Sequence, residues 1–180
     1  MSDPEFLLLG DAVWLDFVNT SRGRGPRLDR LPDAAAYHRW TKACKLRSDA
    51  DARDFAVIRR FRNRLGVLAE ALAADRPAPT ACISLINGLL RTAGGRQQLT
   101  RQSGAWSVRF APDGPPAALV AVAHSAATSL ADPLLRVRQC AGAGCTLFFS
   151  DATAAKGRRW CVDDICGGGA WVERRRGALR

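Results

Sequence analysis

Cys140-Ala141-Gly142-Ala143-Gly144-Cys145, followed fifteen residues later by Cys161-Val162-Asp163-Asp164-Ile165-Cys166, is the stretch that decides how this chain is organised. Each cysteine pair frames four intervening residues. Four thiolates brought to tetrahedral reach suit Zn²⁺, which is borderline-soft and imposes little geometry of its own. The first turn is almost free of side chains, so its backbone can curl around an ion. Leu147-Phe148-Phe149 reads as a strand returning from that turn, and Gly157 to Trp160 leads into the second. An iron–sulfur cluster is the rival occupant, but its signatures usually group cysteines differently. Four unmetallated thiols are the other alternative, and a segment of about 45 residues with so few apolar side chains does not readily fold without a staple. Four protein ligands leave no position for water, so the expectation is one structural metal per chain, bound by Cys140, Cys145, Cys161 and Cys166. Neither His38 nor His124 is near in sequence to act as a base.

Upstream lies a body with its own pattern. Phe6 to Leu9 and Val13 to Thr20, separated by Gly10-Asp11, read as two strands joined by a turn. Ser21 to Leu28 is a loop rich in Gly and Arg, and Pro32-Asp33 opens a helix through Ala43. Ser48 to Asp51 has the spacing of a capping box. It leads into a helix whose Phe55, Ile58, Phe61, Leu65, Leu68 and Leu72 share one stripe, with Arg53, Arg60, Asn63 and Arg64 pointing away. Pro77-Ala78-Pro79 ends it. Cys82 to Leu90 makes another helix, stopped by Gly94-Gly95. Arg96 to Arg101 and Trp106 to Ala111 flank Ser103-Gly104 as a β-hairpin. Asp113 is placed to cap an Ala-rich helix, Ala117 to Ala131, with Leu119, Val122, Ala126 and Leu130 inward. Strands and helices segregate without a βαβ rhythm, so the fold class is α+β. Asp132-Pro133 marks the boundary between a body, 1–133, and a small treble-clef-like or ribbon-like module, 134–180. The body is expected to fold alone, and Trp14, Trp40 and Trp106 are expected in its core, with Cys44 and Cys82 as buried free thiols.

The chain has 180 residues, 47% of them hydrophobic, and a net charge of +10. That apolar content supports a packed core. The charge points to a polyanionic partner, although the near-absence of lysine (Lys42, Lys45, Lys156) shows that a bias toward arginine explains part of it. No stretch of about eighteen apolar residues is present to span a membrane, and the N-terminus has no basic leader ahead of a long apolar run. A cytoplasmic protein is expected, in which cysteines serve as metal ligands or reduced thiols.

The residues also carry a family resemblance. Arg138-Gln139-Cys140, Phe148-Phe149-Ser150-Asp151 and Arg158-Arg159-Trp160-Cys161, with Cys166-Gly167, resemble the CGNR zinc finger. Leu15-Asp16-Phe17-Val18-Asn19-Thr20, with Asp29, Leu31 and Trp40, is similar to the ABATE domain that precedes that finger. The resemblance spans the chain and implies a bacterial cytosolic transcription regulator, stress-responsive and zinc-containing. Cys166-Gly167-Gly168-Gly169 replaces the family's Cys-Gly-Asn-Arg. The ligand and first glycine stay, while the Asn and Arg side chains are lost.

DNA is the expected partner. From Leu135 onward nine basic residues face four acidic ones, so about a quarter of the chain holds half the net charge. Lys156, Arg158, Arg159, Arg174, Arg175 and Arg176 are the candidate phosphate contacts; an ordinary solvated arginine run is the alternative. Asp16, Asn19, Thr20 and Arg22, at a strand end beside a Gly-bearing loop, are candidates to bind a small-molecule effector, the alternative being turn capping with Asp16 paired to an arginine. With no nucleophile motif, phosphate-binding glycine loop or open metal site, no enzymatic activity is expected. A protein-interaction module, with the finger as a structural platform, is the rival function. Oligomeric state is not readable from the sequence.

Overall fold

The computed structural model describes residues 5–23, 29–47, 55–92, 94–102, 105–114, 116–153 and 157–167. Within them the chain forms α1 (Val13–Asn19), α2 (Ala34–Ala43), α3 (Phe55–Ala73), α4 (Thr80–Thr92), β1 (Gly95–Gln102), β2 (Ala105–Pro112), α5 (Ala117–Ala131), β3 (Arg136–Gln139) and β4 (Phe148–Asp151), followed by one π-helical turn at Asp163–Gly167. The two sheets are separate antiparallel ribbons, β1–β2 and β3–β4. The α+β reading holds.

Most elements form where local chemistry directs them. Asp33 caps α2, its side chain accepting from the Ala36 N–H at 2.7 Å. In α3 the stripe is buried at Ile58, Phe61, Leu65 and Leu68, while Arg60, Asn63 and Arg64 are exposed. The Cys82 thiol is buried and lies 3.2 Å from the Arg64 carbonyl, tying α4 to α3. Cys44, at the end of α2, is only half-buried. The expected capping box at Ser48–Asp51, with Arg53, lies outside the described residues.

Three expectations are corrected. Val13–Asn19 is a helix and not a strand, with Phe6–Leu9 irregular ahead of it. Seven residues are too few to hold a helix alone; α1 is stabilised by burying Trp14, Leu15, Phe17 and Val18 on several sides at once. Because nearly every position is buried, no helical period survives in the sequence. Asp113 does not cap α5, whose N-cap is Pro116; it pairs with Arg96 at 2.9 Å. Trp106 is not a core residue, being 64% exposed.

The core runs through both expected regions. Trp14, Phe17, Tyr37, Trp40, Phe61 and Leu65 form its centre, and Val137 of β3 and Phe148 of β4 belong to the same cluster. A second cluster surrounds the cysteines, and Leu7 and Leu9 from the N-terminal segment pack against it. The boundary at Asp132-Pro133 is crossed by side chains in both directions.

Candidate metal centre

Cys140 and Cys145 bracket the turn between β3 and β4, and Cys161 and Cys166 bracket the approach to the π-helical turn. Their four Sγ atoms lie within 4.8 Å of one another, and all four residues are buried. Cys145 and Cys161 are 3.9 Å apart and Cys161 and Cys166 3.5 Å apart. A tetrahedral ion with Zn–S bonds of about 2.3 Å requires about 3.8 Å between sulfurs. A disulfide requires about 2 Å. The set therefore fits a thiophilic tetrahedral ion.

The backbone is shaped for thiolates. Gly142 N–H and Cys161 N–H both approach the Cys140 sulfur, at 3.4 and 3.3 Å. Gly142 is required by packing: a Cβ there would stand 2.8 Å from the Cys166 Cβ and 3.1 Å from its sulfur. Ala141 N–H donates to the Arg159 carbonyl at 2.9 Å, joining the two turns. Without a cation the thiols compete for charge. A hydrogen bond from Cys161 holds Cys145 down to about 5. The same contact pushes Cys161 up, and burial raises Cys166 to about 11. The contacts favour the thiolate at Cys145 over those at Cys161 and Cys166, and a bound cation would favour the charged form of its ligands.

The surroundings of the centre are built partly by residues the sequence singled out and partly by others. Arg158 lies over the Phe149 ring, 4.5 Å from its centroid. Its guanidinium donates to the Trp160 carbonyl at 3.0 Å, to the Cys161 carbonyl, and to the Asp11 carboxylate. This candidate phosphate contact is thus occupied in bracing the second metal turn. Arg159 is exposed, over the ring of Trp160. Lys156, Arg174, Arg175 and Arg176 lie outside the described residues. Asp151 is fully buried at the end of β4, accepting from Thr153 Oγ1 at 2.6 Å, from Arg138 Nε at 3.2 Å and from the Arg158 N–H at 3.2 Å. Burial pushes its carboxyl up, but these hydrogen bonds outweigh burial and hold it below the usual carboxylate range.

The chain belongs to the ABATE family with a CGNR zinc finger. Residues 11–133 match the family described as "Putative stress-induced transcription regulator", and residues 136–177 match the CGNR zinc finger. A comparison with curated proteins gives no match. The four-cysteine cluster is the finger's metal-binding centre.

Two of the four residues considered for an effector, Asn19 and Arg22, instead join the ABATE domain to the finger. Asn19, buried at the end of α1, donates from Nδ2 to the Phe148 carbonyl at 2.8 Å and accepts on Oδ1 from the Phe148 N–H at 2.9 Å. The Thr146 N–H donates to the Gly23 carbonyl, and the Ser150 N–H to the Gly10 carbonyl, each at 2.9 Å. Residues 146, 148 and 150 alternate along β4 and the residues leading into it, so the ABATE domain satisfies the strand edge opposite β3. An open edge would otherwise present unpaired groups. Thr20 Oγ1 donates to the Phe17 carbonyl and accepts from Arg62. Arg22 pairs with Glu70 at 2.6 Å and lies over the Phe148 ring. Asp16 accepts from the Gly10 N–H at 2.8 Å and makes no ion pair among the described residues. Gly10 is held so close that a Cβ would stand 2.7 Å from the Leu15 Cβ. Burial raises the Asp16 carboxyl to about 7.

The arginine pairing falls instead to Asp29, whose carboxylate takes both guanidinium nitrogens of buried Arg62, at 2.7 and 2.8 Å. Arg62 had a legible signal: it follows Ile58 by four residues and precedes Leu65 by three, on the buried stripe of α3. A cleft of about 500 Å³ opens elsewhere in the ABATE domain, between β2, α1 and α5, lined by Asp11, Val108, Phe110 and His124 among others. Burial holds His124 below the ordinary histidine range, and its ring stacks on Phe110 at 4.5 Å. Among the described residues, no helix is long and apolar enough to cross a membrane.

Proposed function

We propose that this ABATE–CGNR protein is a DNA-binding transcription regulator, stress-responsive and cytoplasmic, whose four cysteines hold one structural Zn²⁺ and which is not an enzyme. The closed, buried four-cysteine set carries this reading. Four sulfur ligands suit zinc and leave no coordination site for a reacting water. When bound, zinc supplies charge compensation and a rigid crosslink between the two turns. The chain's own residues do the rest. Arg158 ties the second turn to Asp11, and Arg159 is left exposed beside Trp160. The net positive charge of the C-terminal residues favours phosphates.

The test is titration of the full zinc-loaded chain against duplex DNA fragments at several salt concentrations. With about four phosphate contacts, log affinity should fall against log salt with a slope of about −3 to −4. Reversing charge at Arg174, Arg175 and Arg176 together should weaken binding to all sequences alike. Binding no tighter than that of a scrambled peptide of equal charge would sink the DNA reading. The interaction-module reading then takes its place. It is favoured by one observation: Arg158 and the β4 edge are spent on the ABATE domain, as in a finger that serves as a platform. For the ABATE domain itself, a small-molecule effector is also proposed. The 500 Å³ cleft is its better-shaped seat, since Asn19 and Thr20 are committed to internal hydrogen bonds.

A further inference from the structure

The β1–β2 ribbon carries a feature that neither the metal centre nor the domain interlock uses. Leu99, Trp106 and Val108 are exposed to 64%, 64% and 62%. The register pairs Leu99 with Val108, Arg101 with Trp106 and Gln97 with Phe110, which places all three apolar side chains on the face that also holds Phe110. At the Phe110 end this face is covered, because Phe110 stacks on His124 of α5 at an interplanar angle of 7°. Toward the far end of the ribbon it is not covered. Three large apolar side chains grouped in the open mark an interaction surface more strongly than the same residues scattered.

The charge of the ribbon says what kind of partner fits. The register places Arg101 on this apolar face and no Asp or Glu beside it, whereas Arg96 stands at an opposite-face position and is paired with Asp113 at 2.9 Å. The Arg101 guanidinium lies over the Trp106 ring, 5.7 Å from its centroid. A second copy seated face to face would set Arg101 of each chain against a face with no acidic residue to pair it, on two chains each of charge +10. A polyanion that also offers flat apolar faces meets both requirements. Unstacked bases supply the faces, and the phosphates between them supply the charge.

We infer that the outer half of the β1–β2 ribbon, Leu99, Arg101, Trp106 and Val108, is a second nucleic-acid contact that stacks an exposed base of single-stranded DNA on Trp106. The inference rests on the DNA reading of the chain, but it concerns a different surface. The stacking of Phe110 on α5 anchors the platform to the ABATE domain. Leu99 and Val108 exclude water at the margin of the stacked base.

The test uses the full zinc-loaded chain and a twenty-nucleotide oligothymidylate, followed by tryptophan fluorescence and anisotropy. Trp106→Ala should remove the DNA-induced quenching and weaken binding about tenfold, the loss expected for one stacked base. Trp106→Phe should recover most of that affinity. Arg101→Ala should reduce the salt slope by about 0.7. Near-ultraviolet circular dichroism of buried Trp14 and Trp40 checks that each variant is folded. Charge reversal at Arg174, Arg175 and Arg176 separates the two readings: it should weaken duplex binding and leave the Trp106-dependent quenching in place. Unchanged oligothymidylate binding by Trp106→Ala would overturn the inference. So would sedimentation showing a dimer that Trp106→Ala converts to monomer, which would assign the face to a second copy.

Discussion

The molecule contains two antiparallel ribbons of similar kind and opposite circumstances. In β3–β4 the four residues of β4 are all buried. One edge of that strand pairs with β3, the other is met by Gly10 and Asn19, and the turn between the strands carries two of the four clustered cysteines, Cys140 and Cys145. In β1–β2 both strands are twice as long, yet most described side chains are exposed and the ribbon is held to the body mainly at Phe110. A two-stranded hairpin is marginal by itself. The shorter ribbon is made rigid by partners from outside it, and the longer one keeps a face available for them. Length and strand propensity would have ranked the two the other way.

The largest expected effect comes from breaking the closed ribbon at its metal. Structural zinc sites supply on the order of 10 kcal/mol of folding free energy. Because Val137 and Phe148 sit in the ABATE core, Cys161→Ser or removal of zinc by a chelator should also loosen Trp14 and Trp40. Thermal unfolding followed by the near-ultraviolet signal of these tryptophans should show one shared transition, shifted strongly downward. A body that keeps its transition after metal loss would instead show that 1–133 folds alone.

A smaller loss is expected at the strand edge. Asn19→Ala leaves the N–H and carbonyl of Phe148 buried without their partner, at about 1–3 kcal/mol for each group. Urea unfolding should report a total of about 2–5 kcal/mol. Loss below about 1 kcal/mol would mean that water replaces the amide at this edge.

The interlock also has a pH dependence. Asp16 has a folded value of about 7, above its ordinary 3.8, because of burial. Its contribution to stability is therefore full below pH 3.8 and is lost as pH rises through 7. Asp16→Asn keeps an oxygen to accept from Gly10. It should stabilise the protein relative to the parent more at about pH 8 than at about pH 5, measured by urea midpoints at both. An equal effect at the two values would contradict the assignment.

The smallest effect is expected on the open ribbon. Trp106→Ser should change stability by no more than about 0.5 kcal/mol, as for an exposed side chain with few packing partners. A clearly larger loss in dilute protein would show that the face is covered.

How much of this was legible varies with the kind of signal. The α3 stripe, the Asp33 cap and the pairing of β1 with β2 each rest on residues within a few positions of one another, so local reading succeeded. The cysteine spacing was equally local, because each pair frames its own turn. Trp106 was misplaced because a tryptophan's size suggests burial, while exposure depends on how far a ribbon projects beyond α5. Arg158 read as a phosphate contact from its charge, but its partners include Asp11, which is 147 residues away.

A tetrahedral thiolate site and an α+β body ahead of it follow from chain order alone, since ligand spacing and side-chain period are properties of neighbouring residues. Three features do not. Val13–Asn19 is a helix, its Asn19 closes the edge of β4, and two family regions share a core, all because the chain is folded back on itself. Each depends on groups more than a hundred residues apart satisfying one another's buried hydrogen bonds and apolar surface, and the order of residues carries no record of which distant groups meet.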